Sequence, residues 1–408
     1  MGVLAGVLGL GAACGGPASS DDDAIKIGVV QPFSGALAGY GEETQAGFDY
    51  VIERYNKAGG VESMDGAKIE MIKADDASEP SNTATEARRL MGKEGVSLVV
   101  GIPVTTEMAA ISPVADQFQI PVLSVGAGGS NSEYVYSLGL PYDDGYAKSM
   151  ADFLIDARDK KGAKLETVAL VYTDYETGQE VSKGLEKRLK AAGFKIVADV
   201  PLPAESDNYK PQLARINSMD PDVAVGLVTT PSGVALHQAR AATKSEVLFV
   251  GGTGGYADHQ VWDSLGDSVA KDILVNNMFG LTNFAEAAKS PSLQKFLTEA
   301  RKHEDELDAP LGQLFIAGAQ MAYVVIDLLE KAGSSDPKDI LDAFKDVDIP
   351  AGSDGVLFPR SDGLRFDPKT RFLTDNASLI VKWNEDETLD VMWPDALASE
   401  KLEANMLD

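Results

Sequence analysis

A single cysteine, Cys14, stands in a chain of 408 residues, and only three histidines, His237, His259 and His303, accompany it. One thiol can neither close an intramolecular disulfide nor build a thiolate cluster, and the histidines have no helical metal-pair spacing. No metal, no cofactor and no Cys-His chemistry is expected. Positive charge is also scarce: 36 Lys and Arg oppose 63 Asp and Glu, a formal net charge of −27. A field of that sign repels phosphate backbones, so nucleic acid is an unsuitable partner. Catalytic signatures are missing as well. The chain contains no G-x-x-x-x-G-K-[ST], no H-E-x-x-H, no G-x-S-x-G and no complete G-x-G-x-x-G. The acidic pairs Asp75-Asp76 and Asp143-Asp144 each sit on one loop and do not establish the opposed carboxylates of a glycosidase. The reading is of a protein that is not an enzyme.

Apolar material is plentiful: 44% of residues are hydrophobic, enough for real cores in two or three domains of roughly 150 residues. Met1 to Ala13 contain only Gly, Ala, Val and Leu after the first residue, too short a run for a bilayer but suited to an export signal. Leu10-Gly11-Ala12-Ala13-Cys14 resembles a bacterial lipobox, which makes Cys14 the expected lipidation site, although Gly11 stands where Leu is usual. Residues 15–23 carry no apolar side chain larger than Ala or Pro and read as a flexible tether. No stretch after Cys14 is expected to cross a membrane. The body is expected outside the cytoplasm, lipid-anchored to a bacterial membrane.

Four short apolar runs, Ile25–Val30, Lys68–Lys73, Val96–Gly101 and Ile120–Val125, alternate with helix-patterned segments, the mark of βα units and a parallel sheet. Four more, Thr167–Tyr172, Phe194–Val200, Asp222–Val228 and Val247–Gly252, start 27, 28 and 25 residues apart, close to the roughly 30 residues of a βαβ unit. Phe48, Val51, Ile52 and Tyr55 recur with helical phase, Ala58-Gly59-Gly60 supplies a stop, and Glu42 and Glu43 are assigned to that helix's first turn. Two successions of units predict two doubly wound α/β lobes, with a (β/α)₈ barrel as rival. Against the barrel stands the ending, where Leu379–Trp383 and Leu389–Trp393 flank a polar turn and read as an antiparallel hairpin.

The order and spacing of several fragments carry a resemblance. Ile25-Lys26-Ile27-Gly28-Val29-Val30-Gln31-Pro32-Phe33-Ser34-Gly35, Tyr40-Gly41, Asn56 to Val61, Asp75-Asp76, Ile111 to Ala115, Ile120 to Ser124, Asp174 to Glu180, Gln238-Ala239-Arg240 and Phe249 to Gly252 are together similar to the branched-chain amino acid family of ABC-transporter substrate-binding proteins. The resemblance implies a type I periplasmic binding fold of two lobes closing on a small ligand, with three crossovers near Leu140–Gly145, Val275–Phe279 and Val356–Arg365. The expected division is 1–14 signal and lipobox, 15–23 tether, 24–142 plus 278–357 first lobe, and 143–277 plus 358–408 second lobe.

In such sheets ligands lie beyond the carboxyl ends of the strands, where helix N-termini offer free N–H groups. After Val96–Gly101 come Pro103, Thr105 and Thr106; the threonines either cap the following helix or present hydroxyls, and the resemblance puts Thr105 on a ligand carboxylate. Gly126, Ala127 and Gly128 follow the fourth run, in a loop that either approaches a ligand closely or is an ordinary turn. The family has a Thr at Gly128, so the acid group loses one hydroxyl. Tyr40 matches an aromatic that packs on the ligand, and Asp143 aligns with an acid that faces an ammonium or else belongs to a solvated turn. Tyr175, Thr177, Thr229 and Thr230 are expected on the facing wall. Thr253 is the sharpest departure: the family's amino-acid binders place an acid there, and a buried ammonium without a partner costs several kcal/mol. The ligand is therefore an amino acid offset by another anion such as Asp143, or an amide, a urea-like compound or an aromatic or aliphatic acid, with Tyr40 and Tyr256 as stacking partners.

The expected function is capture of such a metabolite by a monomeric receptor and its delivery to an ABC permease in the membrane. The alternative is a receptor of the same fold that reports its ligand to a signalling partner.

Overall fold

A computed structural model describes residues 24–127, 130–204, 206–252, 254–360, 363–374 and 378–407. Cys14, the tether, Gly128 and Thr253 fall outside the described residues.

The first sheet has five strands, β1 Ile25–Gln31, β2 Ile69–Asp75, β3 Leu98–Gly101, β4 Val122–Ser124 and β5 Val135–Ser137, all parallel and ordered β2-β1-β3-β4-β5. The inner strand β3 is buried along its whole apolar run, and β1 at every position but Lys26, as a sheet covered by helices on both faces requires. Helices α1 Ala38–Ala58, α2 Pro80–Arg89 and α3 Thr105–Phe118 complete the βα units. Helix α1 begins at Ala38, so Glu42 and Glu43 lie in its second turn and not at the positive end of its dipole, as the sequence reading had them.

The second sheet holds seven strands: β6 Thr167–Thr173, β7 Lys195–Leu202, β8 Val223–Leu227, β9 Leu248–Gly252, β10 Met278–Thr282, β11 Leu379–Trp383 and β12 Leu389–Trp393, ordered β12-β11-β10-β9-β8-β6-β7. The strands β6 to β10 pair in parallel, while β11 pairs antiparallel with both β10 and β12, giving the late hairpin. Around this sheet and the return of the chain lie α4 Lys148–Lys161, α5 Glu176–Ala191, α6 Lys210–Met219, α7 Thr230–Thr243, α8 Gly254–Ala257, α9 His259–Leu265, α10 Asp267–Ala270, α11 Pro291–Arg301, α12 Gln313–Ala332 and α13 Pro337–Ala343.

Two expectations about the chain path change. Strand β10 joins the second sheet, so the return to the first lobe comes after Thr282 and not near Val275–Phe279. The last crossing is also later: Ile349 bridges Leu364, Phe366 bridges Leu373, and Phe372 bridges Ser137 at the edge of the first sheet, which keeps 364–373 with that lobe. Sequence periodicity marks strands but not their partners, and here the partner decides lobe membership.

Helix α12 is, by length and composition, apolar enough to cross a membrane, contrary to the expectation of no such stretch. Most of it is buried in the first lobe's core, where it crosses α1 with glycines at the contact. A Cβ on Gly47 would lie 1.8 Å from the Phe315 carbonyl oxygen, and one on Gly318 would lie 1.8 Å from that of Thr44. Its apolarity serves helix packing around Phe48, Phe315 and Val324.

Candidate ligand-binding cleft

In a parallel sheet of order 2-1-3-4-5 the chain reverses direction of growth between β1 and β3, and the crevice lies beyond the carboxyl ends of those two strands. The second sheet has its own reversal between β6 and β8. The connections leaving these strands run into the first turns of α1, α3, α5 and α7, which carry Tyr40, Thr105, Thr177 and Thr230, so the topology selects the strand ends singled out in the sequence.

The loop after β1 is pinned from β2. Asp75 accepts hydrogen bonds from the Phe33 and Ser34 amides at 2.9 and 3.2 Å and from the Ser34 hydroxyl at 2.6 Å. Ser78 Oγ donates to the Ser34 carbonyl at 2.9 Å and accepts from the Leu37 amide at 3.0 Å. Partial burial would raise the Asp75 carboxyl, but these donors outweigh it and hold it low. The acidic pair is a structural clamp that sets the start of α1. There Tyr40 stands 42% exposed. Its hydroxyl is raised by burial among neighbouring groups and by the charges of Asp258 and Glu43, and Glu43 is itself raised by burial and by Asp258. Asp258 belongs to the other lobe, at the start of α9, so the charge of a second-lobe acid is felt by two first-lobe side chains. Thr230 Oγ1 donates to Asp258 Oδ2 at 3.4 Å, and Asp258 caps α9 by accepting from the Gln260 amide at 2.9 Å.

The loop after β3 turns sharply. Ile102, buried and β-branched, sits at φ +57°, a left-handed conformation that costs of order 1 to 3 kcal/mol. It is held there by its amide on Val30 O at 3.1 Å and by the Ser124 hydroxyl on its own carbonyl at 2.7 Å. Helix α3 then starts with Val104 as its first cap, and no side chain caps its amides. Thr105 does not cap; its hydroxyl donates to the Ala127 carbonyl at 2.6 Å and meets the Tyr142 hydroxyl at 2.7 Å. Thr106 is exposed on the next position and Pro103 is half-buried beside the turn. The Gly126 amide is engaged by Ile102 O and Ser124 Oγ, so it offers no donor to a ligand, and its carbonyl accepts from Ser137 Oγ at 2.6 Å.

On the second lobe, Tyr175 caps α5 and is 49% exposed, and Thr177 in the first turn donates to Tyr142 Oη at 3.4 Å. Thr229 is tied by its amide to Thr173 Oγ1 at 3.1 Å. The two lobes thus meet where Tyr142 contacts Thr105 and Thr177, while the charge of Asp258, bonded to Thr230, acts across on Tyr40 and Glu43.

Two assignments change. Asp143 pairs with Arg188, which also holds Asp144 at 2.7 Å, so the carboxylate is engaged in an ion-pair network with α5 and does not stand alone. The carboxylates were adjacent in sequence, but their cation lies 44 and 45 residues away on α5. Tyr256 is fully buried in the second core with its ring edge-on to His237, so it does not stack on a ligand. It belongs to the support of the α8 turn. His237 Nε2–H donates to the Gly255 carbonyl at 2.8 Å and Nδ1 accepts from Arg240 at 3.3 Å. Burial and then the Arg240 charge push His237 down to about 3, so the imidazole is neutral. Sequence reasoning missed Tyr142, Glu43 and Asp258. The nearest signal for Tyr142 was the crossover expected over Leu140–Gly145, which contains it; Glu43 and Asp258 carried none as site residues. Among the described residues no group of three or more His, Cys, Asp or Glu is placed to hold a metal.

Two α/β lobes with facing strand ends and hydroxyl- and acid-lined loops define a two-lobe small-molecule binding protein. The comparisons give the family. Residues 24–386 match the periplasmic binding protein family, and the chain belongs to it, as a branched-chain amino acid type of ABC-transporter substrate-binding protein with the type I fold. It is 28% identical over 397 residues to Leu/Ile/Val-binding protein homolog 7 of Brucella abortus, covering 94% of both chains. An ABC transporter substrate-binding protein from Sphaerobacter thermophilus superposes with a TM-score of 0.72 at 21% identity, over 91% of this chain and 97% of that one. A solute binding protein from R. palustris in complex with 4-hydroxybenzoate gives 0.69 at 22% identity, over 93% and 96%. The family binds ligands for ABC transporters, is not one of enzymes and works outside the cytoplasm.

Proposed function

We propose that this protein captures a small carboxylic acid carrying a hydrogen-bond donor, an ammonium or a hydroxyl, at its other end, and delivers it to an ABC permease from a lipid anchor at Cys14. The observation that carries the reading is the pairing of unlike ends in one cleft. The uncapped α3 N-terminus beside the Thr105 cluster suits a carboxylate, and Glu43 with Asp258, from opposite lobes, suits a donor. Asp258 supplies the anion that Thr253 does not. Closure is driven by contacts the ligand makes to both lobes at once. The 4-hydroxybenzoate of the R. palustris neighbour has this two-ended chemistry, as do α-amino acids.

Calorimetry with leucine, 4-hydroxybenzoate and benzoate tests the reading. Asp258→Asn should weaken a donor-bearing ligand by about tenfold and leave benzoate unchanged. Silence across the panel, or equal losses for both acids, would refute it. Labelling with radioactive palmitate, abolished by Cys14→Ser, tests the anchor.

A further inference from the structure

The Tyr142 hydroxyl meets side chains of both lobes at once. Its ring packs against the second lobe's core, and its turn is held to α5 by the ion pairs of Asp143 and Asp144 with Arg188, so the side chain travels with that lobe. Its oxygen nevertheless contacts Thr105 on the first lobe at 2.7 Å and Thr177 on the second at 3.4 Å. The proton positions follow from chemistry. The Ala127 carbonyl can only accept, so Thr105 gives it its proton; Tyr142 must then donate to Thr105 Oγ1 and accept from Thr177. A directed chain runs from Thr177 through Tyr142 and Thr105 to Ala127, crossing between the lobes.

The hydroxyl that a carboxylate would use at Thr105 is therefore already committed, whereas Tyr142 holds a proton that could be redirected by a small rotation. We propose that Tyr142 is an interlobe latch and a specificity-determining residue: it ties the unliganded lobes together through Thr105, and on ligand arrival transfers its hydrogen bond from Thr105 to a carboxylate oxygen. This rests on the acid-binding reading for its second half only. A ligand lacking an acceptor of that strength, such as the corresponding primary amide, leaves the latch on Thr105 and gains less, so the acid-over-amide preference is set by this phenol.

The test is Tyr142→Phe, which keeps the ring packing. Spin labels, one on each lobe, read the unliganded separation by pulsed electron resonance, and calorimetry compares 4-hydroxybenzoate with 4-hydroxybenzamide. The latch predicts a wider or broader distance distribution in the unliganded variant. It also predicts an acid-over-amide preference reduced by about tenfold, the size of a charge-assisted hydrogen bond. An unchanged distribution overturns the latch, and an unchanged preference overturns the specificity role. If the wild type binds neither compound, the acid-binding reading and the specificity role fall with it, and the distance measurement alone still decides the latch.

Discussion

Replacing Gly318 by Ala adds one methyl group at the point where α12 crosses α1. That methyl would sit 1.8 Å from the Thr44 carbonyl oxygen and 3.0 Å from the Phe48 amide nitrogen, where ordinary contact begins at 3.4 Å. Both obstacles are backbone, so no rotamer change relieves them and the helices must separate by about 1.6 Å at the crossing. Overpacking a core costs about 1 to 3 kcal/mol, and a rigid backbone obstacle belongs at the top of that range. At about 2 °C per kcal/mol for a domain of this size, the first lobe's melting transition should fall by about 6 °C. Gly39→Ala in α1 is the internal control, because a Cβ there meets nothing within 4 Å and a helical Ala is favoured over Gly. Differential scanning calorimetry of both variants checks the argument. A Gly318→Ala protein melting within about 1 °C of the wild type, or indistinguishable from Gly39→Ala, would refute the close glycine contact as the reason for this helix crossing.

Two further outcomes follow from the same geometry. Glu107 is fully buried in α3 with no cation among the described residues beside its carboxylate, and burial, aided by the Asp76 charge and only partly offset by the Val104 backbone, pushes it up to about 7. A folded-state value above the ordinary 4.5 means the folded chain holds an extra proton between the two, so stability falls as pH rises from 4.5 through 7. Glu107→Gln should remove that loss, stabilising by up to about 3 kcal/mol at pH 8 and by almost nothing at pH 4; urea unfolding at the two values decides it, and equal effects would sink the assignment. Asp143→Asn should change affinity for any ligand of the cleft by less than about twofold, because the carboxylate is half-exposed and paired with Arg188. A loss of tenfold in calorimetry would return Asp143 to the binding site.

The sequence by itself determined the elements and where function could sit. Eight apolar runs at βα spacing became strands β1 to β4 and β6 to β9: inner strands such as β3, β8 and β9 are apolar because helices cover both faces, while the edge strands β2 and β7 alternate apolar with charged positions. The loops bearing Tyr40, Thr105, Tyr175, Thr177 and Thr230 follow strand ends in any such arrangement, so they were legible as loop positions before any strand order was known. Only the tertiary structure decided the rest. The sheet to which β10 belongs, and the lateness of the last crossing, depend on pairing between segments far apart in the chain, which a local period does not record. Charge partners are equally non-local: Asp143 looked free until α5 brought Arg188 beside it, and Asp258 gained meaning only when the second lobe placed it near Glu43 and Tyr40. Tyr256 looked like a stacking ring from its glycine-rich loop, yet the loop folds it inward against His237. Tyr142 shows the same limit most simply, since a tyrosine in a crossover carries no signal of its own until two lobes bring a threonine to each side of its hydroxyl.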